Sequence, residues 1–267
     1  MPNMKSLRAD AAMKLEGLMD DFRPGADRDT LLAQVNDILL SLHTIAVATL
    51  LVDGNPQGFF LNLCRAAENG RRLLELLQAR QLTPPPASWN MPLLAALAAG
   101  NFPQADAIAA ASTSTWLHAE VREYEDEFLW AVILQQLAHH KPPPASRVEP
   151  LIARLEKLNK KEYGSRCALA RALLTQSSSG FAKAFEAARL DYEVRIEKEA
   201  QEFGTPVTAF APHRFLWLEG LALLRLAERA GIPLEGADLK YCPPLARVPM
   251  AAKYADDWAI PARTASK

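Results

Sequence analysis

The stretch "WLHAEVREYEDEFLWAVILQQLA" (116–138) decides how this chain folds. Its apolar residues recur at intervals of three and four, which is the spacing of one face of an α-helix. From residue 128 onward the stretch is apolar almost all round, and such a helix lies inside a protein. We therefore predict a central helix over 118–138, with Val132 and Leu134 buried. The predicted core face consists of Leu117, Val121, Tyr124, Phe128 and Val132.

The opposite arc of the predicted helix is acidic and has a tryptophan at each end. This acidic ridge consists of Trp116, Glu120, Glu123, Glu127 and Trp130, with Asp126 flanking it. Like charges three and four residues apart repel by about a few tenths of a kcal/mol per pair, so the ridge does not stabilise an isolated helix. Two interpretations stay open: a solvated surface, or a ridge that steers a basic partner and anchors it through the tryptophans. Glu125 lies beside the core face, so we expect it to be partly buried and paired with an Arg or Tyr.

Helical periodicity dominates the rest of the chain as well. Apolar residues spaced for helices recur along the chain, including 27–52, 59–80 and 214–232, and "PPP" at 84–86 and "HHKPPPAS" at 139–146 interrupt them. No long alternating strand pattern occurs. We predict one all-α globular unit over 1–267 with roughly nine to eleven helices, from the usual helix length. Its N-terminal helices occupy 1–83, and an irregular Pro-rich tail occupies 241–267.

Two segments share an internal pattern. "LLAALAAGNFPQADAIA" (93–109) and "ALARALLTQSSSGFAKAFEAA" (168–188) each place a small polar turn and a Phe between two Leu/Ala-rich helices. Small residues where helices cross are typical of tetratricopeptide-like hairpins. Two ordinary antiparallel hairpins would produce the same pattern. A helical-repeat adaptor would use residues such as Phe102, Phe181 and Phe185 to line a peptide groove.

Composition and charge exclude several classes of protein. The chain has 30 basic and 31 acidic residues, so it lacks the overall basic field that nucleic-acid-binding proteins usually show. The charged N-terminal segment has no h-region, and the apolar runs 44–52 and 128–134 are about half a membrane span. Three well-separated cysteines are typical of a reducing compartment. We therefore expect a cytoplasmic protein with neither a membrane nor a nucleic-acid partner.

The residues with reactive side chains form no recognisable catalytic pattern. "HAE" (118–120) has the H-x-E spacing of zinc deaminases, but no P-C-x-x-C follows it. His139 and His140 end a helix, where an imidazolium favours the negative end of the dipole. No nucleophile elbow, Walker loop or H-E-x-x-H motif occurs. We expect no catalytic site, metal or cofactor, with Cys64 and Cys167 buried and Cys242 exposed in the tail.

Two segments resemble a known family. "EYEDEFLWAVILQQL" (123–137) and "WLEGLALLRLAERAGIPLEGADLKYCPPL" (217–245) resemble the immunity protein 49 family of bacterial polymorphic toxin systems. The resemblance covers roughly residues 90–245, and "YCPPL" is its most distinctive part. It implies an all-α cytoplasmic protein that binds and neutralises a cognate toxin. The family supplies no agreed set of functional residues, so the predicted site rests on the acidic ridge, which suits a basic toxin.

Three functional classes follow. A toxin-neutralising binder requires a tight protein partner and no turnover, and the family resemblance favours it. A helical-repeat adaptor requires a peptide groove. An enzyme requires a polar pocket that holds His118 or His213 beside acidic residues. Neither the identity of the toxin nor the oligomeric state follows from the sequence.

Overall fold

Nine α-helices and one 3₁₀ helix are complete within the described residues of the computed structural model, which are 3–117, 122–139, 141, 144–201, 212–233 and 239–254. The α-helices are α1 (Met4–Asp20), α2 (Arg28–Asp53), α3 (Pro56–Ala79), α4 (Met91–Ala98), α5 (Phe102–Ala111), α6 (Glu125–Ala138), α7 (Ala145–Leu174), α8 (Ser178–Glu199) and α9 (Leu218–Arg229). The 3₁₀ helix is Pro244–Arg247. These residues contain no β-strand, and the all-α prediction is confirmed.

Short polar residues set the ends of the first helices. The Asp27 carboxylate accepts a hydrogen bond from Thr30 N at 2.9 Å and so caps the start of α2. The Asn55 side chain accepts one from Gly58 N at 2.9 Å and caps α3. Gly54 ends α2 with φ +60°, a left-handed conformation that only glycine adopts without strain. The backbone therefore turns sharply at residues 54–55, which allows α2 and α3 to pack against each other.

Helix α2 is a core helix, although its length and composition would allow it to cross a membrane. The most apolar 18-residue window of α2 is 61% buried inside the protein. Leu31, Val35 and Ile38 are completely enclosed, because α2 packs against both α1 and α3. The apolar run 44–52 is thus the C-terminal part of a longer core helix.

One hydrophobic cluster joins helices from early and late parts of the chain. It contains, all at 0% exposure, Leu31 of α2, Phe60 of α3, Leu97 of α4, Ile133 of α6 and Leu223 of α9. Helix α4 connects the two parts, because it packs against both α3 and α9. Val132 and Leu134 are 6% and 0% exposed, so their predicted burial is confirmed.

Helical hairpins occur at both places where the internal pattern predicted them. Helices α4 and α5 are joined through Gly100, whose φ of +74° allows the sharp turn, and α7 and α8 are joined by residues 175–177. Phe181 and Phe185 are 2% and 0% exposed and belong to the core. The prediction that they line an open peptide groove is therefore wrong.

Helix α7 bends at Asn159. This residue has non-helical angles (φ −147°, ψ 63°), and Asn159 Oδ1 accepts a hydrogen bond from Glu162 N at 3.3 Å. Asn159 thus acts as an N-cap for the second half of α7.

The predicted central helix begins later than residue 118. Residues 122–124 are not helical, Arg122 has φ +55°, and α6 starts at Glu125. His118, Glu120 and Val121 lie outside the described residues. Tyr124, assigned to the core face, is 71% exposed. The spacing of apolar residues does not mark where a helix starts, whereas the acidic first turn at Glu125 does.

The tail also differs from its prediction near Cys242. Cys242 is 0% exposed, and its Sγ lies 3.8 Å from the carbonyl oxygen of Trp217. Trp217 N donates to the Tyr241 oxygen at 2.9 Å, which holds this part of the tail against the start of α9. Burial raises the pKa of the Cys242 thiol to about 12, so it is not an exposed nucleophile. Cys64 and Cys167 are buried as predicted.

A substitution at Gly70 tests the close approach of α3 and α4. A Cβ at Gly70 would lie 2.3 Å from Pro92 Cγ, so Gly70→Ala forces the two helices apart. We expect a loss of about 1–3 kcal/mol in the free energy of unfolding, as overpacking usually causes. The matched control is Gly164→Ala, whose Cβ meets only Lys160 Cγ at 3.7 Å and should stabilise the helix by about 0.5–1 kcal/mol. Chemical denaturation of both variants measures the difference, and equal effects would contradict the packing.

Candidate functional site

Three consecutive acids occupy the first turn of α6. Glu125, Asp126 and Glu127 follow Tyr124, whose extended conformation (φ −75°, ψ 144°) marks the position before the helix. Carboxylates are favourable there, because the free N–H groups of the first turn carry partial positive charge. The helix therefore starts at the acidic run, and its apolar half enters the core.

Two of these acids are tied to α7. The Glu125 carboxylate binds Arg154, with a distance of 2.7 Å to the Nε atom, and 24% of the Glu125 side chain is exposed. The prediction that Glu125 is partly buried and paired with an Arg is confirmed. Asp126 Oδ2 accepts a hydrogen bond from Asn159 Nδ2 at 2.8 Å.

The bend in α7 brings a further acid to the same place. Asn159 Nδ2, which binds Asp126, also donates to Glu162 Oε2 at 3.2 Å. One amide thus holds the carboxylates of two helices together. Asp126, Glu127 and Glu162 form what we call the acidic face.

Glu127 experiences the charge of this face. Partial burial raises the pKa of its carboxyl, and the negative charges of Asp126, Glu123 and Glu162 raise it further. The approach of a positive group stabilises the ionised form of such a carboxyl group, because it offsets the repulsion from the neighbouring negative charges. The acidic face is therefore suited to contact a cation.

Glu123 of the predicted ridge has a different position. It is 3% exposed, and its Oε1 and Oε2 accept hydrogen bonds from Ser88 N at 2.7 Å and Leu117 N at 3.3 Å. Its backbone oxygen accepts another from Trp116 Nε1 at 2.9 Å. Glu123 thus joins two loops from within the protein, and its predicted place on an exposed ridge is wrong.

The two tryptophans of the ridge lie in different environments. Trp116 is 36% exposed, and its ring stacks on Phe128 with a centroid distance of 6.5 Å. Trp130 is only 5% exposed. The structure thus separates Trp116 from Trp130, and it brings Asp126 and Glu127 together with Glu162. Whether the predicted ridge residues bind a toxin stays a prediction.

A buried polar cluster holds α6, α7 and α9 in place behind the acidic face. Trp130 Nε1 donates to Glu219 Oε1 at 2.7 Å, and Arg166 donates to both Glu219 oxygens at 2.8 and 3.0 Å. Arg166 also lies over the Tyr163 ring, 5.2 Å from its centroid. The positive charge of Arg166 lowers the pKa of Glu219 although burial opposes it, so the pair is ionised.

A groove of about 510 Å³ adjoins the acidic face between α7 and α8. Asn159 and Glu162 form the wall it shares with that face, and Val194, which is 73% exposed, forms part of the opposite wall. The groove also contains Lys161, Asp191, Arg195 and Lys198. The groove therefore combines charges of both signs with an exposed apolar side chain.

The described histidines and cysteines form no metal site. No group of three or more His, Cys, Asp or Glu side chains suits a metal ion in the described part of the chain. His139 Nδ1 lies 2.8 Å from Asp106 Oδ1, and His140 lies outside the described residues. His213 stands beside another histidine, His43, with ring centroids 6.3 Å apart.

Sequence reasoning missed Asn159, Glu162 and Glu219. Asn159 and Glu162 have the spacing of a capping box, a polar cap followed three residues later by Glu, which marks a helix start inside the charged segment "LNKKEYG". Glu219 lies in the apolar segment "WLEGLALL", and an isolated carboxylate there signals a buried partner. Neither signal identifies the partner residue.

The geometry defines an all-α protein with a charged surface. A second cavity, of about 430 Å³, contains His213 beside Glu199 and Glu219. A model of the family described as immunity protein 49 matches residues 40–244. This chain belongs to the immunity protein 49 family. The match confirms the resemblance seen in the sequence and begins earlier than residue 90. The searches of curated proteins and of solved structures found no match.

Removal of the Glu219 carboxylate tests the buried cluster. Glu219→Ala leaves Arg166 in place, with only 15% of its side chain exposed and without its countercharge. We expect a loss of about 3–5 kcal/mol in the free energy of unfolding, because an uncompensated buried charge is costly. Glu75→Ala is the control, since its side chain is 41% exposed and Arg71 keeps Glu68 as a partner, so its effect should be about 1 kcal/mol or less. Similar urea midpoints for the two variants would count against the cluster.

The buried histidines predict a dependence of stability on pH. Burial lowers the pKa of His43 to about 3 and that of His213 to about 4. The charge of His213 lowers the pKa of His43 further, and the charge of Arg195 lowers that of His213 further. Below pH 6.5 these two histidines become protonated in the unfolded chain but stay neutral in the folded chain. The free energy of unfolding therefore falls as the pH drops from 6.5 towards 4. His43→Leu should reduce that slope by about 1.4 kcal/mol per pH unit. Urea unfolding between pH 4 and 7 measures it, and parallel curves for both proteins would contradict the assignment.

Proposed function

We propose that this protein binds a cognate secreted bacterial toxin and neutralises it by stoichiometric association in the cytoplasm. The observation that carries the proposal is the match of residues 40–244 to the immunity protein 49 family. Members of such families are generally non-enzymatic, so inhibition needs binding and no turnover. The absence of a recognisable catalytic pattern in the sequence agrees with this function.

The acidic face supplies the binding surface in this proposal. Asp126, Glu127 and Glu162 lie at one end of α6, and the exposed ring of Tyr124 immediately precedes them. Acidic residues accelerate the association of a basic partner, and an aromatic ring provides apolar contact area. Trp116 is 36% exposed and remains a candidate anchor for the toxin. Trp130 is buried, so we no longer propose it as an anchor. Glu120 lies outside the described residues, and its role in toxin binding stays a prediction.

The environment of Glu127 indicates the chemistry of the partner. The like charges around it raise its pKa, and a Lys or Arg side chain from the toxin would relieve the repulsion. A basic toxin surface therefore fits better than an acidic one. Basic surfaces are typical of proteins that act on nucleic acid, which suggests the class of toxin.

The alternative, a helical-repeat adaptor, loses its main support. Its groove required Phe181 and Phe185, and both are enclosed in the core. Phe102 is half-buried beneath the guanidinium of Arg229, 4.7 Å from the ring centroid. We therefore retain toxin binding as the proposed function.

A charge-reversal series tests the acidic face. We expect Asp126→Lys, Glu127→Lys and Glu162→Lys together to slow association with the toxin encoded by the neighbouring gene by about tenfold or more, because electrostatic steering is lost. Dissociation should change less. Surface plasmon resonance at several salt concentrations measures both rates.

The matched control reverses three exposed acids on α1. Asp10→Lys, Glu16→Lys and Asp20→Lys change the net charge equally but lie before the family match. Melting temperatures establish that both variants are folded. Unchanged association in the folded α6/α7 variant would exclude the acidic face. A wild-type protein that does not bind the toxin would exclude the function itself.

A further inference from the structure

Helix α8 carries apolar residues on two opposite faces. Phe181, Phe185 and Tyr192 lie on the face that packs into the protein, and each is at most 6% exposed. Leu190 and Val194 lie on the outer face, where they are 48% and 73% exposed. A surface helix needs one apolar face to pack against its own protein. The outer apolar residues of α8 are therefore not required by the packing of a single chain.

The outer residues form a straight stripe along the helix. Ala187, Leu190 and Val194 follow one another at spacings of three and four, and Lys183 and Glu197 continue the same spacing at either end. All five residues are exposed. Alternating spacings of three and four produce the contact seam of two helices that pack side by side. We call these five residues the α8 stripe.

The two ends of the α8 stripe carry opposite charges that the chain itself uses little. Among the described residues, no carboxylate pairs with Lys183. Glu197 is 52% exposed and lies 3.8 Å from Arg214, which is a long distance for an ion pair. It also lies in the last turn of α8, where a carboxylate opposes the helix dipole. Both charges are therefore available to a partner.

The α8 stripe is complementary to itself when two copies pack antiparallel. Lys183 and Glu197 each lie seven residues from Leu190. A twofold axis at Leu190 therefore brings Lys183 of each copy opposite Glu197 of the other, and every contact occurs twice. The apolar residues of both copies meet between these two charge pairs. A parallel arrangement would instead bring Lys183 against Lys183 and Glu197 against Glu197, which is repulsive.

We propose that the α8 stripe is the contact surface of a homodimer in which the α8 helices of two copies pack antiparallel. Ala187, Leu190 and Val194 of both copies form its apolar centre, and two pairs of Lys183 with Glu197 set the direction of the helices. A contact along one helix face is small, below about 1,200 Å², so the dimer is weak and depends on concentration. The proposal involves no residue of the acidic face and does not depend on toxin binding.

Sedimentation equilibrium of the full chain tests the dimer. Between about 1 and 500 µM we expect a monomer–dimer equilibrium with a Kd on the order of 10–100 µM. Val194→Glu should weaken the dimer by about tenfold or more, because it places two unpaired acids in the apolar centre. The matched control is Met13→Glu on α1, which changes a side chain that is 74% exposed and should leave the Kd unchanged. Melting followed by circular dichroism establishes that both variants are folded.

Reversal of the end charges tests the direction of the helices. Lys183→Glu and Glu197→Lys should each weaken the dimer by about fivefold or more, because like charges then meet at both ends. An equimolar mixture of these two variants should form mixed dimers with about the wild-type Kd, since unlike charges meet again. The double variant Lys183→Glu/Glu197→Lys should also recover the dimer. Recovery in the double variant requires the antiparallel arrangement.

Three outcomes would overturn the proposal. The first is a protein that stays monomeric up to about 500 µM, and the second is a dimer that Val194→Glu does not weaken. The third is a double variant that does not recover the dimer although each single reversal weakens it. If the protein is monomeric and Val194→Glu slows its association with the toxin, the α8 stripe belongs to the toxin contact instead. None of these measurements decides the proposed function, which the binding of toxin by the wild-type protein tests separately.

Discussion

The carboxylate of Glu219 is the interaction on which the arrangement of the later helices depends. It is shared by Arg166 of α7 and Trp130 of α6, and it belongs to the first turn of α9. A largely buried ion pair is retained only when its polar atoms are satisfied, and three helices must be in register for that. At the other end of α9, Arg229 donates to the Ala138 oxygen at 2.9 Å and caps α6. Helix α9 thus binds α6 at Trp130 and at its C-terminal end.

This arrangement separates structural charges from charges available to a partner. Glu219 is neutralised inside the protein, whereas Asp126 and Glu162 are held side by side at the surface by Asn159. Holding like charges together works against stability, and a cation at the acidic face would relieve that repulsion. The bend at Asn159 creates the acidic face, because the bend interrupts α7 beside the first turn of α6.

Much of the architecture follows from local patterns in the sequence. The apolar half of 128–138 forms a buried helix, and Glu125 pairs with Arg154 as its position beside the core predicts. The errors share a cause. Helical periodicity placed Tyr124 in the core and Glu123 on the surface, but the chain is not helical there, so their positions are reversed. Periodicity carries no information about where a helix starts unless a cap or an acidic first turn is recognised.

By itself, the sequence determined the all-α class, the hairpins, the burial of the apolar segments and membership of the immunity protein 49 family. These depend on residue spacing along one segment, which the linear order contains. Only the tertiary structure decided that Cys242 is buried, that Trp130 belongs to the core and that Gln57 accepts a hydrogen bond from Ala251 N. Each of these depends on a partner far away along the chain. The physical reason is that burial and hydrogen bonding depend on which residues lie next to each other in space. A single sequence gives the identity of the residues but not which distant ones become neighbours.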